Sequence, residues 1–128
     1  MTGSAVPNKL RRFVLANALT IPDIEALLIF RASRDSARDA ADLAARLYVS
    51  ETRAINVIEV LISLGAIVSA DEAARYRYAP KSPDLAAVLD LLETVYTRHL
   101  VEMTTLVHAT EAKAAQDFAD AFRIRKET

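Results

Sequence analysis

The sequence predicts a mainly helical chain. A three-helix core leads into a two-stranded β-hairpin, with one helix before it and a long helix plus a short helix after it. Three observations predict this. Apolar residues recur at three- and four-residue spacing along most of the 128 residues. The four prolines, Pro7, Pro22, Pro80 and Pro83, fall between those stretches and not inside them. Gly65 closes the strongest helical stretch just before two short runs rich in β-branched and aromatic residues.

Each element has its own signal. Between Pro7 and Thr20, Leu10, Phe13, Val14 and Leu19 alternate with Lys9, Arg11 and Arg12, which predicts a short amphipathic arm over residues 1–19. Thr20 or Asp23 can cap the next helix, and Pro22 sits in its first turn, where a missing N–H costs nothing. Ile24, Leu27, Leu28 and Arg31 then give the i, i+3, i+4, i+7 pattern of a half-buried helix ending near Ala32. Ser33 to Arg38 is polar and turn-like, and Ala40, Leu43, Ala44 and Leu47 form the stripe of a second helix from about Asp39 to Tyr48. Ser50 is the N-cap of a third helix, whose Ala54, Ile55, Val57, Ile58, Leu61, Ile62 and Leu64 crowd one broad side and make it the central core element. The runs Ala66 to Ser69 and Arg75 to Tyr78, joined by Asp71-Glu72-Ala73-Ala74, read as the hairpin, with Arg75 and Arg77 on one face and Tyr76 and Tyr78 on the other.

From Asp84 the pattern changes. Leu85, Leu89, Leu92, Tyr96, His99, Met103 and Leu106 form a heptad-like seam on a helix expected from about Asp84 to Val107. A final helix from about Glu111 to Arg125 offers Ala114, Ala115, Phe118, Ala121 and Phe122 to it. The seam carries more apolar surface than a lone helix exposes, so it is the expected interface of a homodimer, the alternative being that it packs only on the chain's own third and last helices. The organisation is then an arm (1–19), a core domain (20–80) and a dimerisation or packing region (81–128).

Composition narrows the function. With 52% hydrophobic and 26% charged residues and a net charge of −1, the chain is expected to fold as an ordinary globular protein. Without cysteine it has no disulfide or thiolate metal site. No apolar run approaches the roughly 20 residues that span a bilayer, and residues 1–7 lack the order of a signal peptide, so no membrane partner and a cytoplasmic location are expected. Two glycines cannot build a phosphate-cradling loop. His99 with Glu102 and His108 with Glu111 suggest metal ligation, but the pairs lie more than two turns apart and a site needs three or four convergent ligands. No metal, cofactor or enzymatic activity is expected, and Tyr76, Tyr78, Tyr96, Phe118 and Phe122 are assigned to packing ahead of a ligand pocket.

The stretch Ala41-Asp42-Leu43-Ala44-Ala45-Arg46-Leu47-Tyr48-Val49-Ser50, followed by Ala54-Ile55-Asn56-Val57-Ile58-Glu59-Val60-Leu61-Ile62-Ser63-Leu64-Gly65-Ala66-Ile67, resembles the winged helix-turn-helix of MarR-like bacterial transcriptional regulators. The likeness covers roughly half of the chain. It implies a regulator that binds double-stranded DNA as a dimer, with the helix after Ser50 in a major groove and the hairpin, or wing, beside it. It carries over Ser50, Thr52, Arg53 and Asn56 on that helix and Arg75 and Arg77 on the wing, and Arg12 of the arm is a candidate for a supplementary contact. The charges point elsewhere. From Thr20 to Pro80 seven arginines face nine acidic residues, among them Glu51 at the start of the reading helix and Asp71 and Glu72 at the wing tip. DNA readers normally cluster positive charge. The alternative is therefore a winged-helix adaptor that binds a protein partner and no DNA.

Overall fold

The computed structural model describes residues 5–71 and 73–127, and their side chains except at 114 and 122–127. Glu72 thus lies outside the described residues, as do the side chains of Ala114 and Phe122. Helices α1 (Asn8–Ala16), α2 (Ile21–Ala32), α3 (Ala40–Leu47) and α4 (Glu51–Leu64) precede strands β1 (Ile67–Asp71) and β2 (Arg75–Tyr78), and α5 (Pro83–Arg98) and α6 (Leu100–Glu127) follow. This is the winged helix-turn-helix order.

Local capping chemistry sets most of these boundaries. Thr20 and Asp23 act together at α2: the Thr20 hydroxyl accepts from the Asp23 N–H at 3.3 Å, and the Thr20 N–H donates to Asp23 Oδ2 at 2.9 Å. That reciprocal box is why a carboxylate is tolerated in the core. Asp39, Ser50 and Ser82 cap α3, α4 and α5 by accepting from the N–H three residues on. Gly65, at φ 80°, ends α4 in the left-handed region, and a Cβ there would lie 2.3 Å from the Lys81 side chain.

The strands pair Ile67 with Tyr78, Val68 with Arg77, Ser69 with Tyr76 and Asp71 with Arg75, with a bulge between Ser69 and Asp71. Asp71 therefore belongs to β1 and not to the connecting turn. The segment Ser33 to Arg38 also does more than turn. Arg38 and Tyr76 exchange two backbone hydrogen bonds of 2.8 Å, which bind the start of α3 to the wing.

One core joins the elements. Ile24, Leu27 and Phe30 of α2, Leu43 of α3, Val57, Ile58 and Leu61 of α4, and Ile67 and Tyr78 of the wing are buried together with Leu10 and Val14 of α1 and the apolar sides of α5 and α6. The Tyr96 hydroxyl donates to Glu25 at 3.1 Å, joining α5 to α2. Burial first and Glu25 second push the Tyr96 phenol up to about 12 from 10.0. The neutral form is favoured in the fold, so this stabilisation is complete below pH 10 and is lost as pH rises from 10 through 12. Alkaline unfolding of the Tyr96→Phe variant, followed by circular dichroism, is expected to show a weaker loss of stability in that window than the parent.

The C-terminal region departs from its expected division. The helix breaks at His99 (φ −132°, ψ 53°), and α6 then continues unbroken through residues 107–111, so the shorter helix comes first and the longer one second. Residues 107–111 contain no glycine or proline to stop a helix, and Thr110 Oγ1 donates to the Leu106 carbonyl at 3.1 Å within it. The break lets Met103, Leu106 and Val107 bury while α6 packs on α1 and α5. Because α6 is one helix it cannot fold back on itself, and Ala115, Phe118 and Ala121 are exposed instead of packed.

Candidate nucleic-acid interface

The turn between α3 and α4 is made by Tyr48, Val49 and Ser50. Tyr48 ends α3 at φ 58°, ψ 45°, a left-handed conformation that favours glycine, and its side chain is 94% exposed. A strained, fully solvated aromatic contributes nothing to packing. Tyr48→Gly is expected to raise stability by about 1 kcal/mol by relieving the backbone, as read by urea denaturation.

Ser50 is exposed and its hydroxyl accepts from the Arg53 N–H at 3.1 Å, which fixes the first turn of α4. Beyond it, Thr52, Asn56, Glu59 and Ser63 are all exposed at spacings of four, three and four, so they form one outward stripe. Arg53 is exposed on the flank of that stripe and lines a shallow cavity of about 210 Å³ with Asn56 and the Thr20–Asp23 cap. The structure thus brings Ser50, Thr52, Arg53 and Asn56 to one helix end, clear of the core.

The wing is less open. Arg75 Nε donates to Asp71 Oδ2 at 2.9 Å, and Ala73 N–H donates to Asp71 Oδ1 at 2.9 Å. The Arg75 guanidinium, with the Ala73 amide second, holds the Asp71 carboxyl below its ordinary range. Arg77 is exposed opposite Val68. Arg12 is exposed on α1, which packs on α5 and α6.

Pairing governs which charges are available. Arg31 bonds Asp90 at 2.9 Å, Arg38 and Arg46 share Asp42, and Arg75 holds Asp71. Arg34 lies 5.9 Å over the buried Tyr78 ring. Of the seven arginines between Thr20 and Pro80, only Arg53 and Arg77 have neither a carboxylate nor a ring partner among the described residues. Between α4 and the wing tip the surface is acidic, with Asp39, Glu51 and Glu59 lining a groove beside Ile55 and Ile62. The helical i, i+4 spacing of Asp42 with Arg46 signals that pair in sequence, whereas Arg38 precedes α3 and Asp71 faces Arg75 across the hairpin. Tyr48, Glu59 and the Ile55–Ile62 face lie within the stretch that carries the resemblance, but nothing in it sets them apart from their neighbours.

The seam expected at a dimer interface is spent within the chain. Leu85, Leu89, Leu92, Met103 and Leu106 are buried in its own core, and Tyr96 and His99 are half-buried. No group of three or more His, Asp or Glu placed to hold a metal occurs among the described residues.

No family model matches the chain, and no curated protein matches it significantly. Solved structures do share its fold. The multiple antibiotic-resistance repressor MarR of Listeria monocytogenes superposes with a TM-score of 0.52 at 16% identity, over 92% of this chain and 80% of that one. A MarR family protein of Mycobacterium tuberculosis, solved in complex with DNA, superposes with a TM-score of 0.52 at 16% identity, over 94% of this chain and 88% of that one. The likeness extends past the three-helix core and wing to both flanking helical regions.

Proposed function

We propose that the chain is a winged-helix transcription regulator that binds double-stranded DNA as a homodimer in the cytoplasm, and that it is not an enzyme. The observation that carries this is the free, Ser50-capped end of α4, with its outward stripe uncovered beside a wing, in a fold shared with a protein solved on DNA. Thr52 and Asn56 read base edges, Ser50, Arg53 and Arg77 meet phosphates, and Arg75 and Arg12 supply supplementary contacts. Among the described residues no single helix is long and apolar enough to cross a membrane.

The dimer half of the proposal rests on α6. Its first half packs on α1 and α5, but from His108 to Ala121 no described side chain is buried, and Phe118 is 74% exposed. A second copy related by a two-fold axis is the occupant that also matches two half-sites on DNA. Sedimentation is expected to show a dimer that Phe118→Asp converts to monomer.

A selection from a pool of random duplexes tests the whole reading. Enrichment of one motif, repeated with inverted symmetry, is expected. The acidic balance of the α4–wing surface favours a second reading, a protein-binding adaptor. A pool without enrichment, together with one protein partner retained after nuclease treatment, would give that reading instead.

A further inference from the structure

The groove between α4 and the wing has a composition that DNA contact does not explain. It encloses about 460 Å³, within the range of small-molecule sites. Its floor is apolar: Ile58 is buried, while Ile55 and Ile62 remain 46% and 44% exposed. The wing closes it with Ala73, Ala74 and the half-buried Tyr76. Its rim is acidic, from Asp39, Glu51 and Glu59, and no lysine or arginine is among the described residues that line it.

These carboxylates are not equivalent. Asp39 already accepts from the Asp42 N–H as the cap of α3. Glu51 and Glu59 have no cationic partner among the described residues. They stand eight residues apart on α4, about 12 Å along its axis, with Ile55 midway. An apolar floor between two unneutralised carboxylates rejects phosphates and organic anions and complements a body of the opposite kind. Tyr76 lines the groove on the wing side.

We propose that this groove binds a small organic cation, an amine on an aromatic or aliphatic body, with the body on Ile55 and Ile62 and the ammonium beside Glu51 or Glu59. The site stands on the α4–wing geometry and does not require that the chain bind DNA. A matched series of indoles tests it by nuclear magnetic resonance: cationic tryptamine, neutral 3-ethylindole and anionic indole-3-propionate. Tryptamine is expected to shift the Ile55, Ile62 and Ala74 signals saturably and to bind at least tenfold more tightly than either analogue. Glu51→Gln with Glu59→Gln is expected to remove that preference, and Ile55→Trp, which fills the groove and keeps both carboxylates, to abolish binding. Both sets of changes lie at exposed positions, and circular dichroism checks that each variant is folded. Absence of localised shifts at millimolar tryptamine, equal binding of the anion, or undiminished binding by Ile55→Trp would overturn the proposal.

Discussion

Replacing Phe30 by alanine is expected to remove about 3–5 kcal/mol of stability, the cost of losing a large buried side chain and leaving a cavity. Phe30 is 1% exposed near the end of α2, the helix that packs on α3, α4 and β2. Phe30 belongs to the one core that joins α2 to these elements, so its loss leaves a cavity within that core. A domain of this size has a net stability of roughly 5–15 kcal/mol, so the variant keeps only part of its margin. Urea denaturation at fixed protein concentration measures the loss. A change below about 1 kcal/mol would mean that α2 does not hold the core together as described. The effect bears on function because β2 and α4 meet through that core, and the angle between wing and helix depends on it.

Replacing Arg53 by alanine is expected to weaken duplex binding at least tenfold, or about 1.4 kcal/mol. The size follows from scarcity. Most arginines of the domain are already held by Asp90, Asp42, Asp71 or the Tyr78 ring, so their charge is largely cancelled before any phosphate arrives. Arg53 and Arg77 carry most of what remains near α4 and the wing, while Asp39, Glu51 and Glu59 oppose it. A surface with few free cations loses a larger share of its affinity with each one removed.

Local chemistry was legible in the sequence and long-range geometry was not. Thr20, Asp39, Ser50 and Gly65 frame their helices by contacts within three or four residues, so their identities alone place the boundaries. The heptad spacing from Leu85 to Leu106 correctly marks an apolar side. Periodicity cannot say whether the covering surface belongs to the same chain or to another, and here the chain covers that side itself. The break at His99 has no proline or glycine to announce it. The bridge of Arg38 to Tyr76 joins residues far apart in sequence, and the acidic groove exists only where the wing meets α4. The candidate DNA contacts on α4 come from the family resemblance and not from spacing; the structure places Thr52 and Asn56 on one exposed stripe, with Arg53 at its flank.

Under the proposed function, this sparsely basic winged helix binds duplex DNA through α4. Titrating the selected duplex with parent protein and with Arg53→Ala over a series of salt concentrations tests it most directly. Binding is expected at low salt, with a shallow slope of log K against log salt, about −5 for a dimer that neutralises about six phosphates. Arg53→Ala is expected to reduce that slope by about one for each protomer and to lower affinity at least tenfold. Absence of binding at low salt, or binding that Arg53→Ala leaves unchanged, would contradict the proposed function.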